Sequence, residues 1–233
     1  MLGIVLFVII VAFAVFQLIR LHQDSKLLRS VTGPHRGNRS ERKLILSLLY
    51  SGRSSNAVFH DLYVPRKSGT YSQIDAVLAT SVGMIVFEVK DYSGWIFGDG
   101  RYENWTQVLS YGREKYRFYN PVRQNAAHIK ALKQRLKHLG DIPCISVVVF
   151  YGNCELKRIS NLPEDTWVAS ASRVFEVIKD IEESYPEVRF KDKWEVVRIL
   201  KEASALGEQR EVRQQHRDQV ATYVNQKRNR RMF

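Results

Sequence analysis

A chain of 233 residues is long enough for one domain with a real core and some added segments. Two cysteines, Cys144 and Cys154, are too few for a disulfide framework, and no Cys-x-x-Cys or His-x-x-x-His spacing marks a zinc site. The formal net charge of +12 favours polyanionic partners, either nucleic acid or an acidic membrane surface.

Leu2 to Ile19 reads LGIVLFVIIVAFAVFQLI, with Gln17 its one strongly polar residue. That is about the length that spans a bilayer core. Nothing basic precedes it, whereas Arg20, Lys26, Arg29, Arg36 and Arg39 follow. The asymmetry predicts a single-pass anchor over residues 1–19, with the remainder of the chain in the cytoplasm. A cleaved signal peptide ending near Ala12-Phe13-Ala14 is the competing reading. The missing basic leader and the apolar run beyond that point weigh against it.

Residues 20–36 read as a basic juxtamembrane linker broken by Gly33 and Pro34, and the domain is expected over 37–190. It opens with a helix in "GNRSERKLILSLLY", where Leu44, Ile45, Leu48 and Leu49 form a stripe and Asn38 or Ser40 suits the cap. "AVFHDLYV" is a strand ended by Pro65 and Gly69. "QIDAVLATSVGMIVFEVK" is a β-hairpin, and "GWIFGDGRYENW" a second, shorter one with Trp95 and Trp105 in its core. In "NPVRQNAAHIKALKQRLKHLG", Asn120 caps a helix, Pro121 begins it and Gly140 ends it. Its buried stripe is expected to be Val122, Ala126, Ile129, Leu132, Leu136 and Leu139, with His128 as a surface histidine. "ISVVVFYG" is a strand buried on both faces, "TWVAS" a short strand and "SRVFEVIKDIEES" a helix. The order predicts an α/β fold, a mixed central sheet flanked by helices. Residues 191–233 read as a basic extension, helical or disordered.

The first hairpin carries charges at its open end. Charge inside a core is costly unless it is paired or binds something. Glu88 and Lys90 lie two apart and share a face. A four-residue loop at Thr80–Gly83 sets Asp75 opposite Glu88, and a three-residue loop at Ser81–Gly83 sets it opposite Val89. Gly83 suits either loop, so the residues leave the register open, and only chemistry selects the even one. In that register two carboxylates at ~4 Å repel by about 4 kcal/mol at an effective dielectric near 20. Lys90 cancels part of that repulsion, and a divalent cation cancels more. The plain alternative is a solvated Glu–Lys pair on a strand face.

Asp, a turn, then Glu-x-Lys resembles the PD-(D/E)xK motif of restriction-endonuclease-like nucleases. More narrowly, "SQIDAVLATSVGMIVFEVKDYSG", "NPVRQN" before a helix and "NRSERKLILSLL" are similar to the nuclease-related domain (NERD) family over roughly Gly37 to Lys179. The family's opening Gly-Glu is here Ser40-Glu41. The resemblance implies a restriction-endonuclease-like fold and a nuclease dependent on Mg²⁺ or Mn²⁺, acting on nucleic acid, DNA rather than RNA. Asp75, Glu88 and the Val89 carbonyl would hold the metal, with Glu41 joining directly or through water. Lys90 would be the catalytic lysine, and Gln124, on the helix after it, would help fix the site. Gln73 would hydrogen-bond within the site. Lys115, Arg117 and Arg123, interleaved with Tyr116 and Tyr119, are candidates to hold phosphates and stack bases, the alternative being a solvated loop with core-packing aromatics. A non-cutting nucleic-acid-binding module and a membrane-bound scaffold are the rival functions.

Overall fold

The computed structural model describes residues 1–109 and 112–229; the last four residues of the expected basic extension lie outside the described ones. Five strands form the main sheet: β1 (Val58–Pro65), β2 (Tyr71–Thr80), β3 (Gly83–Asp91), β7 (Cys144–Tyr151) and β9 (Thr166–Ser170), in the order β1-β2-β3-β7-β9. The first three are antiparallel, and β7 and β9 join parallel to β3. A second sheet has the order β6-β5-β4-β8, from β4 (Gly94–Asp99), β5 (Asn104–Leu109), β6 (Glu114–Tyr119) and β8 (Cys154–Ser160). The protein is thus a mixed α/β fold, as the sequence pattern implies.

Each face of the main sheet has its own core. On one, α2 (Arg39–Tyr50) and α4 (Val174–Ser184) lay Leu44, Ile45, Leu48, Val177, Ile178 and Ile181 against Phe87, Val89, Val147 and Val149. The expected stripe of α2 is buried, and Asn38 caps that helix by accepting from the Ser40 and Glu41 N–H groups. The other face is shared. Here α3 (Pro121–Leu136) and α5 (Lys193–Leu206) cover Met84, Val86, Val77 and Phe59, while the small sheet lays Ile96 and Trp105 on Val148 and Phe150. Truncating any fully buried leucine among these, Leu48 for instance, costs about 2–5 kcal/mol.

Several details differ from the sequence expectations. The strand β8, CELKRIS, was not expected; it extends the small sheet by pairing parallel to β4. Residues 114–119 are an edge strand instead of a loop. Ala126 is exposed, and α3 instead buries Asn125 and His128 along with Val122, Leu132 and Leu136. That helix spans both the apolar core and a polar centre, so its stripe is only partly apolar. Trp105 is fully buried and stacked on Phe150, but Trp95 is half-buried with the Lys157 ammonium 5.2 Å from its ring centre. Cys144 is the core thiol that its context suggests, and burial pushes it up to about 12.

The N-terminal helix α1 runs unbroken over Leu2–Arg29, through the first half of the basic segment. By length and composition it is able to cross a membrane. Its last turn packs Leu27 and buried Leu28 into the core of α2, and Tyr50 donates to Asp24. At the other end of the chain, α5 buries Val196, Ile199, Leu200 and Ala203 in the core beside β1. The basic helix α6 (Arg210–Asn229) then crosses the start of β2, where Gln219 accepts from the Tyr71 N–H at 3.4 Å.

Candidate active site

The hairpin adopts the even register. Thr80 pairs with Gly83, Leu78 with Ile85 and Ala76 with Phe87, through a two-residue turn at Ser81 and Val82. The next positions along this register are Asp75 and Glu88, where the ladder stops. Beyond Ala76 and Phe87 the two strands part, β2 staying with β1 and β3 with β7. The freed Val89 N–H donates to Asp75 Oδ2 at 2.7 Å, so a side chain replaces the lost strand partner. Asp75 and Glu88 therefore stand at the vertex of a fork.

Glu88 and Lys90 lie on the same face as Met84 and Val86, at the seam between α3 and the small sheet. Glu88 is 1% exposed. Its Oε1 lies 2.6 Å from Lys90 Nζ, which also donates to Gln124 Oε1 at 3.0 Å. Its Oε2 lies 3.3 Å from His128 Nε2 but completes no hydrogen bond of good geometry. Ser72 Oγ and His128 Nδ1 share a hydrogen bond at 2.8 Å, and Arg66 donates to Ser72 Oγ at 2.9 Å. The expected surface histidine is thus buried and faces Glu88. Its position one turn from Gln124, at i and i+4, is the signal that identifies it, since both then point from one helix face into the site.

Glu41 enters from the first turn of α2 and is buried. Its Oε1 accepts from Asn38, and its Oε2 stands 3.5 Å from His60 Nε2 without a hydrogen bond. Thr32 Oγ1 holds the other ring nitrogen of His60 at 2.7 Å. Gly37 makes this approach feasible. Its φ is +67°, and an added Cβ would lie 2.4 Å from the His60 ring and 2.6 Å from Glu41 Oε2. Ser40 is buried and donates to Asp91 Oδ2 at 2.5 Å.

Charge in this pocket is unevenly held. Burial, then the Glu88 and Glu41 carboxylates, push the Asp75 carboxyl well above the usual range, against the Val89 N–H and Lys90. Burial also raises Glu88, but His128 and Lys90 outweigh it and hold that carboxyl below its ordinary value. Burial lowers Lys90, and Glu88 reverses this and raises it. The cluster thus holds a firm Glu88–Lys90 ion pair and an Asp75 that resists its charge.

These residues suit a divalent cation. Two buried carboxylate oxygens, Glu88 Oε2 and Glu41 Oε2, lack a hydrogen bond, and Asp75 is held back by negative neighbours. No group of three or more His, Cys, Asp or Glu side chains poised to hold a metal occurs among the described residues. A magnesium site needs only one or two carboxylates, with water and phosphate filling the other positions.

The remaining expected residues are spread wider. Gln73 is half-buried and donates to Asp61 Oδ1 at 2.8 Å. Asp61 is itself paired with buried Arg36 at 3.1 Å. Arg123 is exposed in the first turn of α3 and donates to the Arg101 carbonyl at 2.6 Å. Lys115 and Arg117 are exposed on β6, paired with Val108 and Thr106 of β5.

These elements define a mixed α/β domain with a buried acid–lysine centre where its sheet forks. Residues 36–151 match the family model "NERD: Nuclease-related domain", and over that segment the chain belongs to this family. The matched span holds every charged residue of the fork. An uncharacterized protein of Bacillus anthracis is 34% identical over 137 residues, which is 57% of this chain. The chain spans 63% of the length of that curated relative. No solved structure matches.

Proposed function

We propose that the chain is a membrane-anchored nuclease that hydrolyses phosphodiester bonds in DNA with Mg²⁺ or Mn²⁺, its domain on the cytoplasmic side. The observation that carries this reading is the fork between β2 and β3, where Asp75 accepts from the Val89 N–H, Glu88 pairs with Lys90, and both of these charges act on Asp75. Asp75 and Glu88 would hold the cation, with Glu41 directly or through water. The Val89 carbonyl joins them, because the N–H and C=O of one strand residue point to the same side. The bound metal supplies an activated water and a clamp on a phosphate oxygen.

The chain's own groups do the rest. Lys90 has three N–H donors, and Glu88 and Gln124 take two. The third is available to a water or to the charge that develops on phosphate. Glu88 keeps Lys90 protonated, so its role is donor and counter-charge, not base. Ser72 orients His128 against Glu88, which fixes the carboxylate from the side opposite Lys90. Asn120 already takes the Val122 and Arg123 N–H groups, so what the start of α3 offers an anion near Gln124 is the positive end of the helix dipole.

The test is incubation of the full-length protein, in detergent, with linear and circular DNA and either metal. Cleavage should stop with EDTA and be lost in Asp75→Asn and Lys90→Ala. Cleavage that survives both substitutions unchanged overturns the assignment. A second reading, nucleic-acid binding without cutting, draws on the Lys90 ammonium 2.6 Å from Glu88 Oε1, which already neutralises the carboxylate a metal needs. Salt-dependent binding with no turnover in either metal would favour it.

A further inference from the structure

The small sheet has one face packed and one face open. Its inner residues, Ile96, Gly98, Trp105 and Phe118, turn toward Val148 and Phe150. A Cβ on Gly98 would lie 2.4 Å from the Trp105 ring, so this layer has no spare room. By alternation the residues between them face outward. Trp95 stands in one row with Val108, which is itself buried, and Lys115, and Phe97 in the next with Thr106 and Arg117. Asn104 and Tyr119 form the row closest to α3. From β8, Arg158 lies beside Phe97, and the Lys157 ammonium lies over Trp95.

Three aromatic rings, Trp95, Phe97 and Tyr119, are therefore left partly in water on a face bearing Lys115, Arg117, Lys157 and Arg158. Glu155, the acid beside Trp95, is already paired with Lys157 at 2.6 Å. Half-exposed rings with cations between them suit neither a core nor a purely solvated surface. We propose that this face binds single-stranded nucleic acid, stacking bases on Trp95, Phe97 and Tyr119 and pairing phosphates with Lys115, Arg117 and Arg158. A solvent-facing sheet offers its rings to unpaired bases, whereas duplex bases are stacked within the helix and leave only their edges. The face also leads to the fork: Tyr119 passes directly into Asn120 and α3, whose Gln124 holds Lys90.

The inference deepens the nuclease reading by naming the form of the substrate, and it rests on that reading for the cut but not for the contact. The test therefore separates the two. Full-length protein in detergent with EDTA is titrated into a labelled oligo-dT strand and a duplex of equal length, read by anisotropy. The single strand should bind at least tenfold more tightly. Trp95→Ala or Phe97→Ala should weaken it by about five- to a hundredfold, the range for losing one base stack. Arg117→Glu, an exposed change that spares the core, should weaken it and flatten the salt dependence. Trp194→Ala, on the exposed face of α5, should change nothing. Equal affinity for strand and duplex overturns the proposal, as does unchanged binding in the Trp95, Phe97 and Arg117 variants. Shielding of Trp95 by anionic vesicles but not by oligo-dT also overturns it. Binding that persists where no metal supports cleavage leaves this proposal standing and removes only the nuclease reading.

Discussion

Lys90→Ala separates a catalytic lysine from a structural one. In the parent, Nζ lies 2.6 Å from Glu88 Oε1, a gross attraction of about 6 kcal/mol at an effective dielectric near 20. Much of that is offset by the cost of taking both groups out of water. Removing one partner of a fully buried pair costs about 3–5 kcal/mol, because the other charge is stranded. The Lys90 side chain keeps 19% of its surface in water, so the cost falls just below that range, about 2–3 kcal/mol. For a domain of this size that is a fall of roughly 5–10 °C in Tm in EDTA. The same deletion leaves Asp75 and Glu88 with no ammonium beside them, so added Mn²⁺ should raise the variant's Tm by more than it raises the parent's. DNA cleavage should nevertheless be absent. Thermal melts with and without Mn²⁺, run beside a cleavage assay, read all three. A variant as stable as the parent in EDTA, with no larger gain from Mn²⁺, would refute the reasoning.

Asp75→Asn keeps an acceptor for the Val89 N–H but removes a carboxyl that burial and Glu88 hold above its normal range. A raised carboxyl contributes stability below its unfolded value that is lost as pH rises through its folded value. Without metal, Asp75→Asn should therefore match the parent only at pH below the ordinary carboxyl value and exceed it at pH 8, while losing the Mn²⁺-induced shift; melts at both pH values check this. His128→Ala strips a partner from Glu88 and from Ser72, costing about 1–3 kcal/mol by denaturant melts, and His128→Gln should recover part of both stability and cleavage. Gly37→Ala forces a side chain into positive φ against His60 and Glu41. It should cost more than about 1 kcal/mol and weaken the Mn²⁺ response, as followed by calorimetry.

The sequence pattern conveys the strands of the main sheet and the hairpin charges because continuous apolar runs and a polar break obey simple spacing. It leaves the register open, since one residue of loop length decides which face Asp75 takes and Gly83 permits either. What settles the matter is the two-residue turn, and beyond it the parting of β2 from β3, which depends on β1 and β7 lying on opposite sides. The centre of α3 misleads for a different reason. Asn125 and His128 are polar, and apolar periodicity passes over them, yet both are buried: Asn125 donates to the Val86 carbonyl at 2.8 Å and His128 meets Glu88. Trp95 shows the converse, an aromatic in a strand that faces out. The strand β8 escapes notice because CELKRIS is half charged and has only one apolar face to bury. In each case burial is set by elements distant in sequence, which a local pattern does not contain.

The continuity of α1 into the domain has a mechanical consequence. A single rigid rod of 28 residues, about 42 Å long, leaves no swivel between Leu2 and the seat of Leu28. Whatever grips the apolar end also fixes the direction in which the forked strands open. One residue inserted into that rod would swing the whole globular part through about 100°, whereas seven would return it to within about 20° of where it began.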